Sequence, residues 1–80
     1  MALRLVFLGR LEGVALAAQR DVAFVPSLEV LFASLEADLS EALQGEKVKL
    51  AVNGVLIADR PGLVLGDGDE LAFLPPVSGG

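Results

Sequence analysis

The chain has 80 residues, of which 54% are hydrophobic and 21% charged, with eleven acidic residues against six basic ones and a formal charge of −5. That is one small domain, apolar enough to fold and far from the charged composition of disordered chains. With neither cysteine nor histidine, disulfides, thiolate or imidazole metal sites and Ser-His or Cys-His nucleophiles are excluded. The negative charge disfavours nucleic acid and anionic lipid and favours a protein partner with a basic surface.

Mean hydropathy is +0.65, yet the longest apolar stretch near the end, Leu71 to Val77, is far short of the ~20 residues that span a bilayer. Arg10 and Glu12 interrupt the N-terminal apolar stretch before it could serve as a signal-peptide core. A soluble, cytoplasmic protein is expected. Its surplus of apolar residues implies a surface covered by a partner.

Leu3 to Leu8 reads as a first strand buried largely on both sides, bounded by Gly9. Leu11, Val14, Ala15 and Ala18 share one face of a short helix that Gly13 weakens. Asp21 to Val25 suits a second strand stopped by Pro26, pairing with the first. Ser27 caps the main helix, in which Leu28, Leu31, Phe32 and Leu35 repeat at helical spacing. The spacing continues through Leu39, Ala42 and Leu43, where Asp38 or Ser40 begins a further turn or short helix ending at Gly45. Lys47 to Val52 alternates charged and apolar residues, Asn53-Gly54 turns it back, and Val55 to Ile57 returns. Asp59-Arg60-Pro61-Gly62 is another turn, and Leu63 to Leu65 a small packing segment. Gly66 to Asp69 makes a tight polar turn, and Leu71 to Leu74 is the last strand before Pro75-Pro76. The order implies an α+β fold, with the helix across one face of a mixed sheet.

Most motifs have plain readings. Asp67-Gly68-Asp69-Glu70 lacks the ligand spacing of a calcium loop. Gly66-Asp67-Gly68 lacks the helix and lysine of a phosphate cradle. The adjacent acids Glu36 and Asp38, or Asp69 and Glu70, read as solvated surface rather than an acid-base pair. Lys47 and Lys49 share a face of their strand, where they keep the surface soluble or meet an acidic partner.

The end of the chain differs. A strand and two stiffening prolines lead into Val77-Ser78-Gly79-Gly80, a slim tail that can thread a narrow tunnel and present its carboxylate. Adenylation by an ATP-using partner would make Gly80 electrophilic, and a sulfur nucleophile would then leave a thiocarboxylate or an amide-forming thioester.

The last fourteen residues, Asp67-Gly68-Asp69-Glu70-Leu71-Ala72-Phe73-Leu74-Pro75-Pro76-Val77-Ser78-Gly79-Gly80, resemble the closing signature of the molybdopterin synthase small subunits, the MoaD-type sulfur carriers. Ala51-Val52-Asn53 resembles the family at its usual place before the tail. In place of the two aromatics often seen before the prolines stand Phe73 and Leu74.

The resemblance implies a ubiquitin-like β-grasp domain over residues 1–74 and a flexible Gly-Gly tail over 75–80. It implies that Gly80 is adenylated by an activating enzyme that uses ATP and is converted to a thiocarboxylate. Sulfur then passes to a cyclic pyranopterin monophosphate in the large subunit of a heterotetramer, building the dithiolene for molybdenum or tungsten. Gly79, Ser78, Val77, Pro76 and Pro75 would thread into the partner, and Phe7, Phe73 and Leu74 would include the apolar interface anchors, with core packing as the alternative for the two phenylalanines. The chain would bind no cofactor or metal itself, and the catalytic side chains would sit on the large subunit. Related carriers for thiamine or transfer-RNA thiolation, a ubiquitin-like protein modifier and a plain interaction module are the competing readings.

Overall fold

A computed structural model describes residues 2–58 and 63–76. Alternation builds its sheet. In β1 (Ala2–Phe7), Leu3, Leu5 and Phe7 are buried while Ala2 and Arg4 are exposed, the pattern of a strand with one covered face. The expectation of burial on both sides is thereby corrected, because helices cover only one side. β5 (Glu70–Leu74) lies parallel to β1 and buries Leu71 and Phe73 in register with Leu5 and Phe7. On its other edge β3 (Lys49–Val52) runs antiparallel, with Leu50 beside Phe73.

β2 (Gln19–Ala23) pairs antiparallel with β1, and β4 (Val55–Leu56) with β3, giving the order β2-β1-β5-β3-β4. β2 begins two residues earlier than Asp21, because its register sets Val22 against Leu3 and Gln19 against Val6. Phe24 and Val25 leave the ladder and pack against the core instead. β3 starts at Lys49 rather than Lys47, although Val48 before it is buried.

The helices supply the other layer. α1 (Leu11–Ala15) buries Leu11 and Ala15 and stops where Leu16 turns left-handed, with φ 62°. Val14 is therefore 42% exposed and Ala18 lies beyond the helix, which corrects their place on its apolar face. α2 (Leu28–Ser34) starts as expected, with the Ser27 hydroxyl accepting from the Val30 N–H at 3.3 Å. The further short helix expected from Asp38 or Ser40 is present and begins at Ala37. Leu35 is extended, with ψ 163°, and α3 (Ala37–Leu43) restarts after Glu36. The break lets Leu28 and Leu31 of α2 and Leu39 and Leu43 of α3 all join one core with Leu3, Leu5, Phe7, Leu50, Leu71 and Phe73. The result is the mixed α+β sheet of a β-grasp domain.

Arg20 of β2 grips Glu36 at that break through two hydrogen bonds of 2.8 and 2.9 Å. The guanidinium, followed by the backbone N–H of Glu36, holds the carboxyl at about 2 against an ordinary 4.5. A depressed folded-state value stabilises the fold above the unfolded pKa, and that stabilisation fades as pH falls through the folded one. Denaturant unfolding of Glu36→Gln should accordingly lose less stability than the wild type between pH 4.5 and pH 2, the window those values set. Parallel losses in the two proteins would show that the pair does not couple protonation to folding.

Candidate functional site

The polypeptide leaves the sheet at the end of β5, so the candidate site is that exit and the sheet face beside it. Leu74 lies between β1 and β3, opposite Lys49 on the β3 side. On the β1 side the Leu8 N–H donates to the Phe73 carbonyl at 3.2 Å. Pro75 follows and is half-buried.

Its neighbour is Gly9, whose φ of 55° favours glycine and whose ideal Cβ would lie 2.8 Å from Pro75 Cγ. A side chain at position 9 would displace the proline ring, so the turn after β1 fixes where the tail begins. Val77, Ser78, Gly79 and Gly80, expected to carry and thread the reactive end, lie outside the described residues, as does the expected turn at 59–62.

Phe7 and Phe73 require a correction. They are 1% and 0% exposed and stack on each other with centroids 6.2 Å apart, and Phe32 of α2 tilts onto Phe73 at the same distance. Side chains with no free surface hold the core and offer no anchor to a partner. Leu74, the next residue, points to the other side of the sheet and is half-buried.

Around the expected Leu74, that other side carries further apolar residues that were not singled out from the sequence. Half-buried Val6 and Ala72, buried Ala51 and exposed Leu56 adjoin in register across β1, β5, β3 and β4. Leu56 is 65% exposed, and Leu8, just beyond β1, is 41% exposed. The signal was present in the period of two: if Phe7 and Phe73 face the helices, Val6, Leu8, Ala72 and Leu74 face away.

The opposite end of the sheet is fastened by carboxylates. Asp67 accepts from the Ala2 N–H at 3.0 Å, and Asp69 from the Gly66 N–H at 2.7 Å and the Asn53 amide at 3.0 Å. The Gly66 N–H, and after it the Asn53 amide, lower the Asp69 pKa. Asn53 also accepts from the Glu70 N–H, which ties the β3–β4 turn to the start of β5. These acids close a loop, and among the described residues no group of three or more is placed to hold a metal ion. Nor does any described helix have the length and apolar character to cross a membrane.

The described residues root the end of β5 at Pro75, against Gly9 and beside an apolar sheet face. The model of the ThiS family matches residues 16–80. SAMP1 from Haloferax volcanii is similar in structure, with a TM-score of 0.77, 25% identity and full coverage of both chains. A chain from the complex of subunits 1 and 2 of molybdopterin-converting factor from Helicobacter pylori 26695 gives a TM-score of 0.71, 28% identity and full coverage of both. Small archaeal modifier protein 1 from Methanosarcina acetivorans gives 0.71 and 25%, covering 99% of this chain and 96% of its own. No curated protein matches the sequence.

Proposed function

The chain belongs to the ThiS family of ubiquitin-like sulfur carriers, and from that premise we propose that it is the sulfur-donating small subunit of molybdopterin synthase. The observation that supports this reading best is the similarity over full length to a chain of the Helicobacter pylori molybdopterin-converting factor complex. It is joined by the Asp-Gly-Asp-Glu to Pro-Pro-Val-Ser-Gly-Gly ending over residues 67–80.

The Gly80 carboxylate attacks the α-phosphorus of ATP in an activating enzyme, and pyrophosphate leaves with the electron pair of the broken P–O bond. Hydrosulfide then attacks the acyl carbon, AMP leaves, and the released proton goes to solvent, so that Gly80 ends in a thiocarboxylate. The open face around Leu8, Leu56 and Leu74 seats the domain on the large subunit, and the Gly9–Pro75 contact aims the tail into it. There the thiocarboxylate sulfur attacks a side-chain carbon of a cyclic pyranopterin monophosphate, and the carbon–oxygen bond at that carbon breaks, its electron pair leaving with the oxygen. Water cleaves the acyl–sulfur bond, which returns Gly80 as a carboxylate. Holding the sulfur beside its target replaces a bimolecular encounter with an intramolecular one. The partner supplies every catalytic side chain, and two such transfers build a dithiolene in a heterotetrameric synthase.

The test is a single-turnover assay with the thiocarboxylated chain, the large subunit from the same genome and the pyranopterin precursor. Dithiolene formation supports the reading, and its absence with a fully thiocarboxylated carrier contradicts it. The likeness to SAMP1 favours a second reading, in which Gly80 is joined to lysines of target proteins. Covalent conjugates of the chain in its host would support that role.

A further inference from the structure

The chain is acidic as a whole, but its charge is unevenly placed. Of the five cations among the described residues, two are paired: Arg4 with Asp21 at 3.2 Å and Arg20 with Glu36 at 2.8 Å. The other three, Arg10, Lys47 and Lys49, are exposed, and the topology gathers them at one place. Lys49 is the register partner of Leu74, at the root of the tail. Lys47 lies in the turn two residues before β3, and Arg10 follows Gly9, the residue against Pro75. The tail root thus lies between Lys49 of β3, with Lys47 just before it, on one side and an arginine on the other.

Two carboxylates, Glu12 and Glu46, accompany these three cations. At the far end of the sheet the balance is reversed, since the one cation there, Arg4, is bonded to Asp21 and is outnumbered by Asp21, Asp67, Asp69 and Glu70. The helical side sets Glu29, Glu36, Asp38 and Glu41 against Arg20. An acidic surface is repelled by both of those regions and attracted to the tail root, an orienting effect that acts within roughly a Debye length of 8 Å at physiological salt.

We infer that Arg10, Lys47 and Lys49 form a cationic collar that docks an acidic rim around the channel into which a partner protein admits the tail. This revises the expectation of a basic partner surface, which the net charge suggested, at the point where contact matters most. The inference rests on the proposed tail chemistry, and the partner concerned is the ATP-using activating enzyme, which a sulfur carrier and a protein modifier both require. The collar raises the rate of productive encounter and orients the tail, while apolar contacts of the open face hold the complex.

The experiment measures association rates of the full chain with that enzyme, taken from the same genome, at increasing salt. Lys49→Glu should slow association about tenfold at low salt, with the deficit vanishing at high salt. Arg4→Glu makes the same change in charge at the far end of the same sheet face and should act less than about twofold. Its exposed ion pair contributes little to folding, and Lys49→Gln and Arg10→Gln, each with a smaller effect of the same sign, guard against a folding defect. Equal slowing by Lys49→Glu and Arg4→Glu would overturn the collar alone, reducing it to a bulk charge effect. Failure of the wild-type chain to associate at all would overturn the tail chemistry and the collar with it.

Discussion

Deleting Gly79 and Gly80, or adding one residue after Gly80, is expected to abolish sulfur transfer, by about 1000-fold or more, with no change in the unfolding midpoint. The size follows from the chemistry. The chain has no cysteine or histidine, so once the terminal carboxylate is lost or displaced no other group can take its place, and the gain from holding sulfur beside its target is lost entirely. The unchanged stability follows from the fold, because the last core residue is Phe73 and β5 ends at Leu74. Thermal unfolding and single-turnover sulfur transfer on the same preparations check both halves. Transfer at a normal rate by the extended, unprocessed chain would contradict the proposed mechanism.

Phe73→Ala is expected to do the opposite, removing the fold and leaving the tail chemistry without a platform. Phe73 is fully buried, stacks on Phe7, meets Phe32, and sits in the sheet row between Phe7 and Leu50. Truncating such a phenylalanine costs about 3–5 kcal/mol, through lost burial and the cavity left behind. A domain of this size has little more than that in total. The midpoint should fall by at least about 15 °C, and much of the protein should be unfolded at the growth temperature of a mesophile. Phe73→Leu, which keeps most of the volume, should recover most of the loss. Leu74→Ala, one residue on and half-buried on the other face, should cost far less stability while weakening partner binding. A small effect of Phe73→Ala in calorimetry would mean that this ring does not hold the core.

Much of this architecture was legible in the chain. Leu3, Leu5 and Phe7, and Leu71 and Phe73, mark two strands, Ser27 caps a helix, and Asn53-Gly54 makes a turn at φ 51° and 85°. What the chain concealed were choices that tertiary contacts make. A further short helix from Asp38 or Ser40 was legible, but with no proline or glycine between Leu28 and Leu43 nothing marked the extended backbone at Leu35 that lets both helices reach the core. Gln19 and Arg20 make poor strand residues on propensity alone, but pairing with Val6 and Leu5 draws them into β2.

The site divides in the same way. Pro75, Pro76 and the Gly-Gly end stand out by composition, whereas Phe7 and Phe73 were equally good candidates for core and interface until the register placed both beneath the helices. Gly9 and Lys49 are unremarkable as letters. They acquire meaning only because a parallel strand on one side and an antiparallel one on the other bring them to the root of the tail.

The most direct test of a sulfur-carrying Gly80 is intact mass of the chain purified from its own host, before and after a thiol-selective alkylating reagent. With no cysteine in the sequence, a terminal thiocarboxylate is the one group that should react, while oxidation of Met1 would shift the mass without reacting. The expected result is a single alkylation that maps to Gly80. A chain that takes up no label, even after incubation with ATP, sulfide and the activating enzyme, would contradict the carrier role and leave the domain as an interaction module.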